Sequence, residues 1–367
     1  MSRTLTDAPR PTPGPAAGGA SGRGRVRDVV AGLWLIVTLE LRQRVRGVAW
    51  YVLLGIFMLL VAAVTILLWL STTAWETGGG GVFSTVILFV LLLGTLVSPA
   101  LSGNAINGDR DIGTLATTQV TLISTGQLVL GKFVAAWITA LAFLAAAVPF
   151  LLFAVALGEV SLGTIAVSVL VLAVELGVIA AVGVGLSGIV TRPLFSIVVT
   201  YLIVAALSVG TLISFALLGT ATRSEATTSP ASSECPDPTT TREVPRFDYY
   251  WWVLAANPYV VLADASPGVF DAAGNPQDLF GWIAVSVRQA QAAPDLQTES
   301  PWCDSTGEYD VTAEEQPPTP RETYDGAVPS WFVGLGIHLA LAVGALLWAW
   351  RRTITPARRL PTGRRVA

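Results

Sequence analysis

LGTIAVSVLVLAVELGVIAAVGVGLSGIVTRPLFSIVVTYLIVAALSVGTLISFALL, residues 162–218, holds only two charged side chains, Glu175 and Arg192. A helix of roughly 20 apolar residues crosses about 30 Å of hydrocarbon. This stretch is therefore long enough for two crossings, Leu162–Val190 and Pro193–Leu218, joined by Thr191 and Arg192 alone. Such a junction makes a tight helical hairpin. Pro193 suits the first turn of the second helix, where its missing N–H leaves nothing unsatisfied.

Working outward, four more stretches have the same character: about Gly47–Leu70, Val82–Leu101, Leu130–Leu157 and Ser330–Trp350. None has Lys or Arg in its middle. Composition agrees, with 53% hydrophobic and 13% charged residues and a mean hydropathy of +0.63. A soluble domain carries about 25% charge. The expected fold is an all-α integral membrane protein with six transmembrane helices. With a single His and two Cys, Cys235 and Cys303, the sequence is poorly provided for a His base or a metal cluster.

Basic residues set the expected orientation. Residues 1–49 hold eight Arg, the tail after Trp350 holds six, and Arg110, Lys132 and Arg192 stand in short loops. The long segment 219–328 holds the other five basic residues against 17 acidic ones. Six crossings put both termini on one side, and both termini are basic. Both are expected in the cytoplasm of a plasma-membrane protein, with the acidic segment outside. Trp348 and Trp350 before Arg351 and Arg352, and Trp331 at the far end, read as interfacial anchors.

The chain divides accordingly. Residues 1–27 are a Pro/Gly/Ala/Arg-rich tail expected to be disordered and cytoplasmic. Residues 28–46 form an interfacial helix, with Val30, Leu33, Trp34, Val37 and Leu41 at helical spacing and Glu40, Arg42, Gln43, Arg44 and Arg46 at its polar end. The alternative is an inward extension of the first span. Residues 47–218 are a five-helix membrane region containing a cytoplasmic loop, 104–129. Residues 219–328 are the outer segment, 329–351 the sixth span and 352–367 a basic cytoplasmic tail.

GQLVLGKF, residues 126–133, nearly spells the phosphate loop G-x-x-x-x-G-K-[ST]. The match fails at Phe133, where the motif needs a hydroxyl for magnesium, and no strand precedes it. Gly131-Lys132 instead marks a helix reaching the membrane surface, where Lys132 is expected to snorkel. Ser124-x-x-Gln127 has capping-box spacing. Thr114–Val120 is expected to form a short helix, with Gly108 and Gly113 as breaks before it.

In the outer segment, ATRSEATTSPASSECPDPTTTREVPR is expected to pack poorly. FDYYWWVLAANPYVVLAD, Phe247–Asp264, is apolar but too short to cross. It suits a helix in or re-entering the outer leaflet, broken at Asn257-Pro258. The alternative is a soluble cap. GWIAVSVRQAQ, Gly281–Gln291, reads as a second short helix. Cys235 and Cys303 both lie outside, where a disulfide persists and would contribute about 4 kcal/mol; two free thiols is the alternative. Glu175 and His338 lie mid-span and need partners. They are candidates for lining a translocation path, for pairing with each other, or for local bonds to neighbouring helices. Gly177, Gly183, Gly185 and Gly188 allow close helix packing, within one chain or between two.

Two ordered segments resemble the type-2 family of ABC exporter permeases. One is Glu40-Leu41-Arg42-x-x-x-Arg46 before the first span. The other runs Pro99-x-Leu101, Ile106, Asp109-Arg110, Gly113-Thr114-Leu115, then a hydroxyl-rich stretch to Ser124 and Gly131-Lys132. Asn257-Pro258-Tyr259 resembles the family's outer Asn-Pro signature. The family usually has Glu where Asp109 stands. The resemblance implies a permease subunit that pairs with a second, identical or related, permease. It also implies a separate soluble ATPase that binds ATP and magnesium. Glu40, Arg42, Arg46, Asp109, Arg110, Gly113, Thr114 and Leu115 would then transmit motion from that ATPase and do no chemistry. The alternative for Asp109-Arg110 is a solvated charge pair. The cargo would be lipid-linked, amphipathic or drug-like; the implied partners include membrane lipids and no nucleic acid. Other readings are a membrane-embedded lipid-modifying enzyme using Glu175, Asp248 or Asp264, and a membrane sensor or scaffold.

Overall fold

The computed structural model describes residues 22–75, 78–111, 124–158, 160–229, 239–299 and 318–354. Cys235, Cys303, Gly113, Thr114, Leu115, the Thr114–Val120 helix and both terminal tails' outer portions lie outside the described residues.

Six helices are long and apolar enough to cross a membrane. α1 (Gly22–Val45) leads to α2 (Val48–Trp75) through a turn at Arg46-Gly47. α3 (Gly79–Ser102) is followed by the short α4 (Asn107–Asp111), then by α5 (Thr125–Ala156) and α6 (Leu162–Ile189). α7 (Pro193–Ala221) and, at the end, α12 (Trp331–Thr353) complete the set. The protein is an all-α membrane protein, as its apolar runs require. α4 runs through Gly108, which was expected to be a break; a glycine at the second position of a five-residue helix weakens it without ending it.

α5 starts where the capping box places it: the Ser124 Oγ accepts from Gln127 N at 3.3 Å, and Gln127 Oε1 accepts from Ser124 N at 2.6 Å. GQLVLGKF is therefore helix, not a phosphate-cradling loop.

α6 is the axis of the bundle. Every residue from Glu175 to Gly185 is buried against α3, α5 and α12. Its glycines permit this. A Cβ on Gly183 would lie 2.0 Å from Ser102 Oγ, and one on Gly185 would lie 2.6 Å from Ala345 Cβ and 2.8 Å from the Ala345 backbone carbon. The close approaches are thus made inside one chain. α2 joins through aromatic edges: Trp50 and Phe57 each meet Phe143 of α5 at 5.1 Å between ring centres.

The 219–328 segment contains a small three-stranded sheet. β1 (Arg223–Ser229) and β2 (Thr240–Pro245) pair antiparallel from Arg223↔Pro245 to Thr228↔Thr240, with β3 (Gln297–Glu299) parallel on the other edge of β1. Threonine-rich sequence forms such a sheet because β-branched side chains suit extended backbone. The sheet stays largely exposed, so packing is not what the sequence needed to signal.

After it come α8 (Trp251–Ala255), α9 (Pro258–Ala265), α10 (Leu279–Gln289) and α11 (Pro320–Gly326). The Asn257-Pro258 break falls where expected, between α8 and α9. Val261, Leu262, Ala263 and Phe280 share one core with Val86 and Leu176 of the bundle, while Tyr249 and Trp252 stay half exposed. The α8–α9 hairpin is therefore part of the bundle and not a closed cap over its own aromatics. Asp264 fixes it there. Its Oδ1 accepts from Arg288 Nε at 2.8 Å, and its Oδ2 accepts from Ser330 Oγ at 2.9 Å and Trp331 N at 3.0 Å, capping α12.

Substituting Gly185→Val drives a side chain into the Ala345 backbone and is expected to cost about 1–3 kcal/mol. Gly344→Val meets nothing within 4 Å and is expected to be neutral. Thermal unfolding of both variants in detergent checks the contrast.

Candidate functional site

Two sites emerge, a charged node and an apolar cavity. The first is a charged node where α1, α4 and α5 meet. Gly131 lets α1 close onto α5: a Cβ there would lie 2.8 Å from Ile36 Cγ2. Ile36 and Val37 are buried on that face, whereas Val30 and Trp34 of the apolar stripe point outward. Lys132 thus sits beneath α1 and is 2% exposed. This corrects the expectation that it snorkels to headgroups. Its ammonium pairs with Glu40 of α1 and, at 2.7 Å, with Asp109 Oδ2 of α4.

Arg44 adds a fourth member. Its Nε lies 3.8 Å from Glu40 Oε2, and its Nη1 donates to Thr139 Oγ1 at 3.4 Å. Burial lowers the Arg44 guanidinium from its ordinary range, opposed by the Glu40 charge. α4 is held from a second side. Ser187 Oγ of α6 accepts from the backbone N–H of Ile106 at 2.9 Å and of Asn107 at 3.0 Å. Arg110 Nη1 donates to Asn107 Oδ1 at 2.9 Å. One set of charges and hydrogen bonds therefore joins the polar end of α1 to the loop after α3.

The structure brings together Glu40 and Asp109 on Lys132, while Arg110, next to Asp109 on α4, bonds Asn107. It leaves Arg42 and Arg46 exposed and outside the node. Sequence reasoning missed Lys132 and Arg44 as members. The available signal for Lys132 was its position one residue after Gly131, the small residue that admits a neighbouring helix.

The second site surrounds the Asn257-Pro258-Tyr259 break. α7 contains a π-turn at Ala206–Gly210. Such a turn interrupts the regular i→i+4 ladder. The Ser208 carbonyl accepts from Asn257 Nδ2 at 2.5 Å, and the same nitrogen lies 2.9 Å from Thr211 Oγ1. Asn257 Oδ1 accepts from Tyr259 N at 2.9 Å, capping α9. One buried side chain thus clamps the π-turn and starts the hairpin's second helix.

Beside this clamp lies a cavity of about 580 Å³ between α3, α7 and α9. Leu92 and Leu96 of α3, Tyr201, Val209 and Leu212 of α7 and Tyr259 of α9 are among its lining, which includes no charged side chain. Three of its hydroxyls are turned to protein, while the Ser208 hydroxyl has no partner among the described residues: Tyr201 donates to the Leu96 carbonyl at 2.6 Å, and the Tyr259 and Thr95 hydroxyls are 3.4 Å apart. An apolar occupant suits this lining.

Glu175 and His338 do not line that cavity. They are each 1% exposed and face each other, His338 Nδ1 to Glu175 Oε1 at 3.0 Å, with His338 Nε2 2.9 Å from the Ala256 carbonyl. Asp248 and Asp264, the other carboxylates considered for chemistry, pair with Arg246 and Arg288. The Arg246 guanidinium holds the Asp248 carboxyl below its ordinary value. Among the described residues no three His, Cys, Asp or Glu side chains gather where a metal would be held.

No protein-family model matches the chain, and no curated protein matches it.

Removing Lys132 leaves two carboxylates facing each other without their shared cation. Breaking a buried pair costs about 3–5 kcal/mol; partial exposure of Glu40 and Asp109 lowers the expectation for Lys132→Met to about 1–3 kcal/mol. Faster proteolysis within residues 28–46 checks it. Asn257→Leu removes the donor to the Ser208 carbonyl and to Thr211 Oγ1, leaving the carbonyl only the 3.2 Å bond from the Thr211 hydroxyl, and is expected to cost about 1–3 kcal/mol, read as a lower melting temperature in detergent.

Proposed function

We propose that this chain is the membrane subunit of an ATP-driven exporter. Both termini, α1 and α4 face the cytoplasm in a plasma membrane, and the 219–328 segment faces outward. A separate soluble ATPase binds ATP and magnesium and presses on the loop that begins at α4. A second permease copy or a related permease completes the assembly. The cargo is lipid-like, amphipathic or drug-like.

The observation that carries this reading is the Glu40–Lys132–Asp109 node. Two segments picked out by family resemblance, far apart in sequence, meet on one buried lysine. A push on the loop would then be delivered at once to α1, to α5 and, through Ser187, to the central helix α6. A solvated surface charge pair has no such mechanical consequence. The apolar cavity beside Asn257 supports an apolar cargo, since few charges in the spans would serve a hydrophilic one. The broad exposed apolar faces of α2 and α7 are available to lipid and to a second permease.

The test is reconstitution of the full-length protein with an ATPase that co-purifies with it and carries a true phosphate loop. ATPase activity stimulated by the permease is expected to fall at least about tenfold in Arg110→Glu and in Gly113→Pro. Permease that hydrolyses ATP alone, or variants with unaltered association and stimulation, would overturn the assignment.

A further inference from the structure

The Glu175–His338 pair has a proton inventory that its geometry fixes. A backbone carbonyl only accepts, so His338 Nε2 must carry the hydrogen directed at Ala256 O, 2.9 Å away. The other nitrogen faces Glu175 Oε1 at 3.0 Å. A hydrogen bond there needs one more proton. It resides on Nδ1, giving imidazolium and carboxylate, or on Oε1, giving neutral imidazole and carboxylic acid. Both forms have the same composition and no net charge.

Among the described residues nothing nearby substitutes for that proton. The helices packed against α6 and α12 are α3, α5, α7, α8 and α9. α3 and α8 carry no titratable side chain. Lys132 of α5 is engaged by Glu40 and Asp109, Tyr201 of α7 by the Leu96 carbonyl, Tyr259 of α9 by Thr95, and Asp264 of α9 by Arg288. On α12 itself, Arg351 and Arg352 stand in the last turns, remote from His338.

Loss of the proton leaves neutral imidazole with one N–H for two acceptors. An unpaired carboxylate in a buried, low-dielectric setting is the costlier of the two to strand. The hydrogen therefore turns to Glu175, and bare Nε2 faces the Ala256 carbonyl. Ala256 immediately precedes Asn257, so that hydrogen bond ties the α8–α9 hairpin to the bundle.

We propose that Glu175, His338 and the Ala256 carbonyl form a one-proton binding site inside the bundle, whose bound proton latches the hairpin to α12. The inference stands independently of the exporter reading.

His338 is the single histidine of the chain, so nitrogen-15 histidine labelling reports this site alone. The full-length protein in phospholipid nanodiscs at neutral pH is expected to show protonated Nε2. Nδ1 is then either protonated as well, or bare with an infrared carboxylic-acid C=O band that disappears in Glu175→Gln. Bare Nε2, or bare Nδ1 without that band, overturns the proposal. Hydrogen exchange over residues 251–262 reads the latch. His338→Leu is expected to exchange about tenfold faster, as loss of a buried hydrogen bond implies. Glu175→Gln is expected to exchange near the wild-type rate, because its amide donates to Nδ1 and leaves the Ala256 bond intact. Wild-type exchange in His338→Leu refutes the latch.

Discussion

A charge inside a membrane bundle must be matched by another charge or by several hydrogen bonds, because there is too little water to match it. That constraint organises this protein. Lys132 is answered by Glu40 and Asp109, Glu175 by His338, and Asp264 by Arg288 and the start of α12. Each match joins elements distant in sequence. The first ties α1 and α4 to α5, the second α6 to α12, and the third the hairpin to the last span. Hydrophobic matter fills the space between them, but these pairs fix which helix neighbours which.

The second constraint is steric. α6 accepts α3 and α12 at distances that a methyl group at Gly183 or Gly185 would forbid. Without water to drive helices together, close packing and interhelical polar contacts supply the association. A rigid axis follows, surrounded by α2 and α7, whose apolar faces stay largely uncovered. The 580 Å³ cavity lies at that periphery, against α7.

Much of this was legible in the sequence. Six apolar runs gave six spans with ends displaced by a few residues. Ser124 and Gln127 marked the start of α5, and Asn257-Pro258 marked the hairpin break. These signals are local: a run, a cap, a proline. What escaped depends on tertiary neighbours. Lys132 read as a surface lysine because its two acids lie 92 and 23 positions away. The π-turn at Ala206–Gly210 is bonded by Asn257 from another element as well as by Thr211 of its own helix, and nothing in ALSVG announces the distant partner. The β1–β2 pairing was hidden by composition, since serine, threonine and proline also typify unpaired chain. The apolar stripe on α1 was legible, but the packing of Ile36 onto Gly131 was not.

The central claim is that α1 and the loop beginning at α4 move as one body because Lys132 holds both. Spin labels at Arg42 and Arg110, in a background with Cys235 and Cys303 replaced by serine, measure it directly during turnover with the ATPase proposed as its partner. The account requires one narrow distance that persists through the ATP cycle and broadens in Lys132→Met. A distance that changes with nucleotide in the wild-type protein, or that ignores Lys132→Met, contradicts it.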